Sequence, residues 1–393
     1  MKHADWTPRA NIYEVNLRQY TPQGRFAAFQ ANHTAWDHRW VSEHPEWYLK
    51  NAAGEIHSYV YDNGRELEYW TDVVGLDYRQ PAVWNAQIEA LKFWFTQTGI
   101  DGFCCDVAGL VPTPFWERAR AGLDAIRPVF MLAEWSTPEL HAHAFDMTYD
   151  WLLHDALKKI ASGQGSAADL VAWLEQTART FPRHAYRMTF TNHHDKNAWE
   201  GQDAKVFGPA FQVCAVLAAT LPGMPLIYGG QEAVLDKRLA FFEKDTIAWK
   251  DCALADFYRG LLQLKTETPA LWNGEAGAPV QVLDSGTQKV FAFRRRNAQG
   301  GVEVAANLSG AEQAFEIEGV AQRLAAWSWT LDRLPPACAP PRQVPTSTSV
   351  LSTPRRPLCT ADAAPRLSPP WGRPAPTPPP SASCSRPGRM SSA

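Results

Sequence analysis

Two hydrophobic rhythms alternate along the first two thirds of the chain. Asn11 to Gln19 alternates apolar and polar side chains and predicts a strand. Pro81 to Thr98 has helical spacing: Pro81 suits a first turn, and Trp84, Ile88, Leu91 and Phe95 share one face. Gly99 ends that helix, and Ile100 to Cys105 is a short apolar run of strand type. Thr113-Pro114 opens another helix. Phe130 to Ala133, Ala144 to Thr148, Arg187 to Thr191 and Met224 to Tyr228 read as further strands. Ala167 to Thr180, Val206 to Leu221 and Ala255 to Thr266 read as helices. Such β-then-α alternation predicts an α/β fold, with a parallel sheet and helical crossovers. Beyond Thr266 the rhythm changes. Pro279 to Leu283, Lys289 to Arg295 and Val302 to Leu308 predict short strands joined by turns, hence a small antiparallel β domain.

Two stretches follow neither rhythm. Residues 34–78 are rich in Trp, His, Tyr, Asp and Gly and read as one long functional loop. Its Trp36, Trp40, Trp47 and Trp70 suit either sugar faces or ordinary packing. Leu334 to Ala393 is rich in Pro, Ser and Arg, with almost no periodic apolar pattern, and is expected to lack fixed structure. The expected division is therefore 1–268, 269–333 and 334–393.

Composition narrows the function classes. A formal net charge of -3 gives no electrostatic case for nucleic acid. No run of about 18 apolar residues predicts a membrane span. The start, Met1 to Thr7, has no apolar signal core, so a cytoplasmic protein is expected. Seven cysteines lie without metal-like spacing and read as reduced thiols. Adjacent Cys104 and Cys105 would point to opposite faces of one strand.

Candidate chemistry gathers where apolar runs end. Asp106 follows Ile100 to Cys105, Glu134 follows Val129 to Ala133, and Asp195 lies just beyond Arg187 to Thr191. In a barrel of parallel strands those ends converge on one mouth. A pair of carboxylates is what glycosidic cleavage uses, one to attack the sugar carbon and one to protonate the leaving oxygen. A retaining pair lies about 5 to 5.5 Å apart. His193, His194 and Asp195 also raise a metal reading, against which neighbouring residues are expected to point apart.

Ala31-Asn32-His33-Thr34, Gly102 to Ala108, Met131 to Trp135, Asn192 to Asn197 and Gly223 to Glu232 occur in this order. Together they resemble conserved regions of the α-amylase family of retaining α-glucan hydrolases, over about residues 11 to 310. The resemblance implies a TIM-type (β/α) barrel and cleavage of α-1,4-glucosidic bonds in an α-glucan or maltooligosaccharide. Transfer of the glucosyl group to a sugar instead of water would use the same residues. It implies Asp106 as nucleophile, Glu134 as acid/base and Asp195 as the carboxylate that clamps sugar hydroxyls. His33 and His194 would hydrogen-bond the sugar, and Trp36, Trp135 and Tyr228 complete the expected binding set. No cofactor is required; calcium is the metal the resemblance allows, with Asn32 as one ligand.

Two departures stand out. The strand at Asn11 to Gln19 runs almost directly into Phe29 to His33, where the family places two further βα units, about 60 residues. About six barrel strands are therefore expected, in an incomplete barrel. Cys104 also stands where the family carries an arginine that can hold the nucleophile ionised. A severe loss of rate is expected, or at the extreme an inactive remnant of the family.

Overall fold

In the computed structural model, residues 3–15, 32–241 and 243–336 are described. Nine strands come first in chain order: β1 (Ile12–Glu14), β2 (His33–Ala35), β3 (Ser58–Asp62), β4 (Leu67–Gly75), β5 (Gly102–Cys105), β6 (Phe130–Ala133), β7 (Met147–Tyr149), β8 (Tyr186–Thr189) and β9 (Met224–Tyr228). Six of them form one parallel sheet in the order β1-β9-β8-β7-β6-β5. This is a TIM-type barrel short of closure, with β1 and β5 as its two edges among the described residues. The six expected strands are all there. The expected strand Asn11 to Gln19 is seen as Ile12–Glu14, and its last part lies outside the described residues.

Side chains alternate across the sheet, as strand geometry requires. One set, including Ile12, Leu132, Tyr149, Met188 and Leu226, packs together inside the curve of the sheet. The other set, including Cys105, Met131 and Ala133, packs under Pro81–Thr98 and Thr113–Asp124. Pro81–Thr98 has the bounds its periodicity predicts, and Val83, Ile88, Leu91 and Phe95 are its buried stripe. Gly99 stops it at φ 67°, a left-handed conformation that costs glycine little. The expected helix Val206 to Leu221 is interrupted. Gly208 turns left-handed at φ 52° and Pro209 brings no N–H, so the regular helix begins at Phe211.

Residues 34–78 correct the loop expectation. β2, β4 and β3 form a three-stranded antiparallel sheet, with His33 opposite Gly75 and Tyr59 opposite Trp70. Gly75 is required there, because a Cβ would lie 2.6 Å from the Tyr59 ring.

After the helix Ala253–Glu267 come β10 (Gln281–Leu283), β11 (Val290–Asn297), β12 (Gly300–Asn307), β13 (Gln313–Ile317), β14 (Val320–Leu324) and β15 (Trp329–Leu334). They form an antiparallel sheet in the order β10-β11-β12-β15 and a ribbon of β13 with β14. Phe291, Phe293, Val302 and Val304 share one core with Leu157, Leu217 and Leu261 of the barrel helices, so this β region is welded onto the barrel. The tail expectation beyond Pro336 lies outside the described residues. Among the described residues no helix is long and apolar enough to cross a membrane.

Candidate active site

Each acid is delivered by a strand end. β5 lies so close to β6 that a Cβ on Gly102 would be 1.8 Å from the Phe130 carbonyl oxygen. Cys105 is buried on the helix side of β5, so alternation puts Cys104 and then Asp106 on the inner side. Val107 then takes φ 39° and ψ 46°, a left-handed conformation unfavourable for a β-branched residue. That turn aims the Val107 N–H at Glu134, whose Oε2 accepts it at 3.0 Å. The Glu134 backbone N–H in turn donates to the Cys105 carbonyl at 2.9 Å, extending the β5–β6 pairing to the acid itself. Asp195 enters from the first turn of His194–Trp199, just after β8.

The three carboxyls converge. Asp106 and Asp195 both stand close enough to Glu134 for their charge to be felt there. Burial first, then Asp106 and Asp195, push the Glu134 pKa well above the usual carboxyl range, and the Val107 N–H opposes only part of this. Glu134 is thus kept protonated at neutral pH.

Two histidines flank the acids. His33 is buried, with Nε2 4.0 Å from Asp106 Oδ2. Burial lowers its pKa against the pull of Asp106 and Asp72, which favours the neutral ring. His194 Nε2 lies 3.4 Å from Asp195 Oδ1. Its Nδ1 lies 2.5 Å from Oε1 of Glu14, the last residue of β1. Burial works against a charged His194, but the hydrogen bond and charge of Glu14, with Asp195 and Glu134, outweigh it and raise its pKa. Sequence reasoning missed Glu14. The available signal was its place at a strand end, on the same face as Ile12 in the inner core.

The aromatic expectations divide. Trp36 is exposed, and its indole N–H is tied to the Thr71 carbonyl at 3.0 Å. Trp135 is half-buried over Gly109, where a Cβ would lie 2.0 Å from the ring. Tyr228 is only 1% exposed, so its ring belongs to the inner core and offers no face to a sugar; this corrects its expected binding role. Trp40 and Trp47 meet edge to face, 75° apart, in a small core around Tyr48. Among the described residues, the rings beside His33 are Trp70, one of the four tryptophans singled out in the sequence, at 5.8 Å and Tyr59 at 6.5 Å between centroids.

The donor atoms of His193, His194 and Asp195 lie within 4.8 Å of one another, contrary to the expectation that they point apart. The extended backbone of His193, entering a helix, brings them together. His194 and Asp195 are already paired there, with Glu14 on the other ring nitrogen. Asn32 is buried, with its side-chain Oδ1 engaged by the His33 ring.

Similarity to known proteins agrees with this geometry. The profile described as "Alpha amylase, catalytic domain" matches residues 29–279. Alpha-amylase MalA of Haloarcula japonica is 26% identical over 275 residues, covering 68% of this chain and 38% of that protein. Alpha-amylase 2 of Dictyoglomus thermophilum is 23% identical over 295 residues, covering 69% of this chain and 50% of that protein. The chain thus spans half or less of the length of these curated relatives. Alpha-1,4-glucan:maltose-1-phosphate maltosyltransferase of Rhodospirillum rubrum is 30% identical over 206 residues, covering 50% of this chain and 28% of that protein. Among solved structures, an alpha-amylase from Lactobacillus plantarum superposes with TM-score 0.63 at 25% identity, covering 77% of this chain and 76% of that one.

Proposed function

Because the chain belongs to the α-amylase family, we propose that it cleaves α-1,4-glucosidic bonds of an α-glucan or maltooligosaccharide with retention of configuration. The observation that carries this reading is the meeting of Asp106, Glu134 and Asp195 beyond the ends of β5, β6 and β8, where burial and the two neighbouring acids push the Glu134 pKa up. Asp106 attacks the anomeric carbon as Glu134 gives its proton to the departing glycosidic oxygen, leaving a glycosyl ester on Asp106. Glu134, now a carboxylate, takes a proton from water as the water oxygen attacks the same carbon and releases Asp106. Retention rests on the resemblance to retaining α-glucan hydrolases; a retaining pair stands about 5–5.5 Å apart and an inverting pair about 6.5–9.5 Å. Asp195, beside charged His194, is placed to accept hydrogen bonds from sugar hydroxyls. His33 stands on the Asp106 side.

The free thiols of Cys104, Cys105, Cys214 and Cys252 support a reducing compartment, the cytoplasm. Transfer to a sugar acceptor is the second reading, favoured by the similarity to maltosyltransferases. A reducing-sugar assay on soluble starch and maltotetraose, with folded wild type and Asp106→Asn, tests the proposal. New reducing ends from wild type alone support hydrolysis. Longer oligosaccharides without new reducing ends support transfer. Neither product from folded protein overturns both.

A further inference from the structure

Glu14 stands at the end of β1, the strand paired with β9 on the far side of the sheet from β5. Its side chain is mostly buried, and each of its oxygens is committed to one residue. Oε2 accepts the backbone N–H of His194 at 3.2 Å, and Oε1 faces Nδ1 of the same residue at 2.5 Å. This two-point grip fixes both the start of the helix that carries Asp195 and the plane of the imidazole. A carboxylate accepts only, so Nδ1 must carry a hydrogen. The opposite nitrogen, Nε2, faces a second carboxylate, Asp195 Oδ1, at 3.4 Å. With a carboxylate at each ring nitrogen, the doubly protonated ring satisfies both, and a neutral ring leaves one facing a lone pair.

We propose that Glu14 is a positioning residue that holds His194 as an imidazolium between itself and Asp195, making His194 the cation that balances the carboxylates of this site. The inference rests on the reading of Asp106, Glu134 and Asp195 as the reacting group of acids. It adds the group that sets their charge balance. The groups facing His194 are Glu14 from β1, Glu134 from β6, and His193 and Asp195 from its own segment. His193 is buried and its pKa is driven well below the ordinary value, so it contributes no positive charge. The elevated pKa of His194 agrees with the geometry. As pH rises past the His194 titration, Nε2 loses its hydrogen and repels Asp195. The basic limb of activity should therefore follow His194 as well as Glu134.

The test is a 15N-histidine NMR titration of the intact chain, with His194 assigned by the signal lost in His194→Asn. In wild type the ring should remain doubly protonated above pH 7. In Glu14→Gln the midpoint should fall by about one unit or more, and Glu14→Asp should restore part of it. Where maltotetraose hydrolysis is measurable, the basic limb of kcat should shift in the same direction with little change in circular dichroism. A wild-type ring that titrates near the ordinary histidine value overturns the proposal. So does a midpoint unmoved in Glu14→Gln. Should Glu14→Gln not fold, the wild-type titration alone decides. Because the titration needs no turnover, a failed starch assay with a high His194 midpoint removes the hydrolytic reading and leaves this charge arrangement standing.

Discussion

The same sheet carries two desolvated acids with opposite electrostatic fates. Asp146, just before β7, lies at the end of the sheet away from the mouth and is completely buried. Arg120 reaches it at 2.7 Å, His3 at 2.6 Å and the Met131 N–H at 2.8 Å. Burial alone would raise its pKa, but His3, Arg120 and the Met131 N–H together hold it below the usual carboxylate range. Glu134, at the mouth, has one N–H donor and two acidic neighbours, and its pKa goes up. Burial is common to both; partners decide the sign. The lower end of the barrel is built to hold charge and fold; under the proposed function the mouth keeps a proton available for transfer.

Substituting the mouth acid should give the largest change. Glu134→Gln should lower the rate of maltotetraose hydrolysis by about 10²–10⁴. Its stability should change in the other direction. The folded pKa of Glu134 is raised, so its contribution to stability is full below the unfolded value and is lost as pH rises through the folded one. Glu134→Gln should therefore melt at or above the wild-type temperature at pH 8. A lower Tm with activity retained would dissolve the contrast with Asp146.

Next comes the lower end. Arg120→Met leaves Asp146 without its guanidinium and should cost about 3–5 kcal/mol in urea unfolding. The folded pKa of Asp146 is depressed, so its stabilisation is present above the unfolded value and lost as pH falls through the folded one. The wild-type and Arg120→Met unfolding curves should thus converge in acid and diverge toward neutral pH. A cost below about 1 kcal/mol would mean that the pair behaves like a solvated surface bridge.

The third test gives the mouth what the lower end already has. Cys104 shares the inner side of β5 with Asp106 and lies 3.9 Å from the Tyr149 hydroxyl, so no positive charge comes from this position. Cys104→Arg should raise starch hydrolysis about tenfold, or about 1.4 kcal/mol, with circular dichroism unchanged. An unchanged rate in folded protein would point to the open side of the barrel, between β5 and β1, as the limiting defect.

Periodicity made the barrel legible where elements are buried on one consistent face. Pro81–Thr98 and Met224–Tyr228 fall on their expected bounds because their burial matches their apolar pattern. The sheet of β2, β4 and β3 was illegible because much of β4 is exposed, so its alternation carries no hydrophobic signal. The break before Phe211 was written in Gly208-Pro209 but overridden by a strongly apolar run. In the candidate site, the placement of Asp106, Glu134 and Asp195 just beyond strands was legible from the apolar runs that precede them. Glu14 was not, because its role depends on a partner 180 residues away. Tyr228 was misplaced because a strand-end position does not reveal that a ring turns into the core.

The most direct test of the central claim is to trap the glycosyl-enzyme. Glu134→Gln incubated with α-maltosyl fluoride, whose leaving group needs little acid assistance, should accumulate one maltosyl adduct. Peptide mass spectrometry should locate it on Asp106, and Asp106→Asn should remain unmodified. An adduct on another residue, or fluoride release equally fast from Asp106→Asn, would contradict the account.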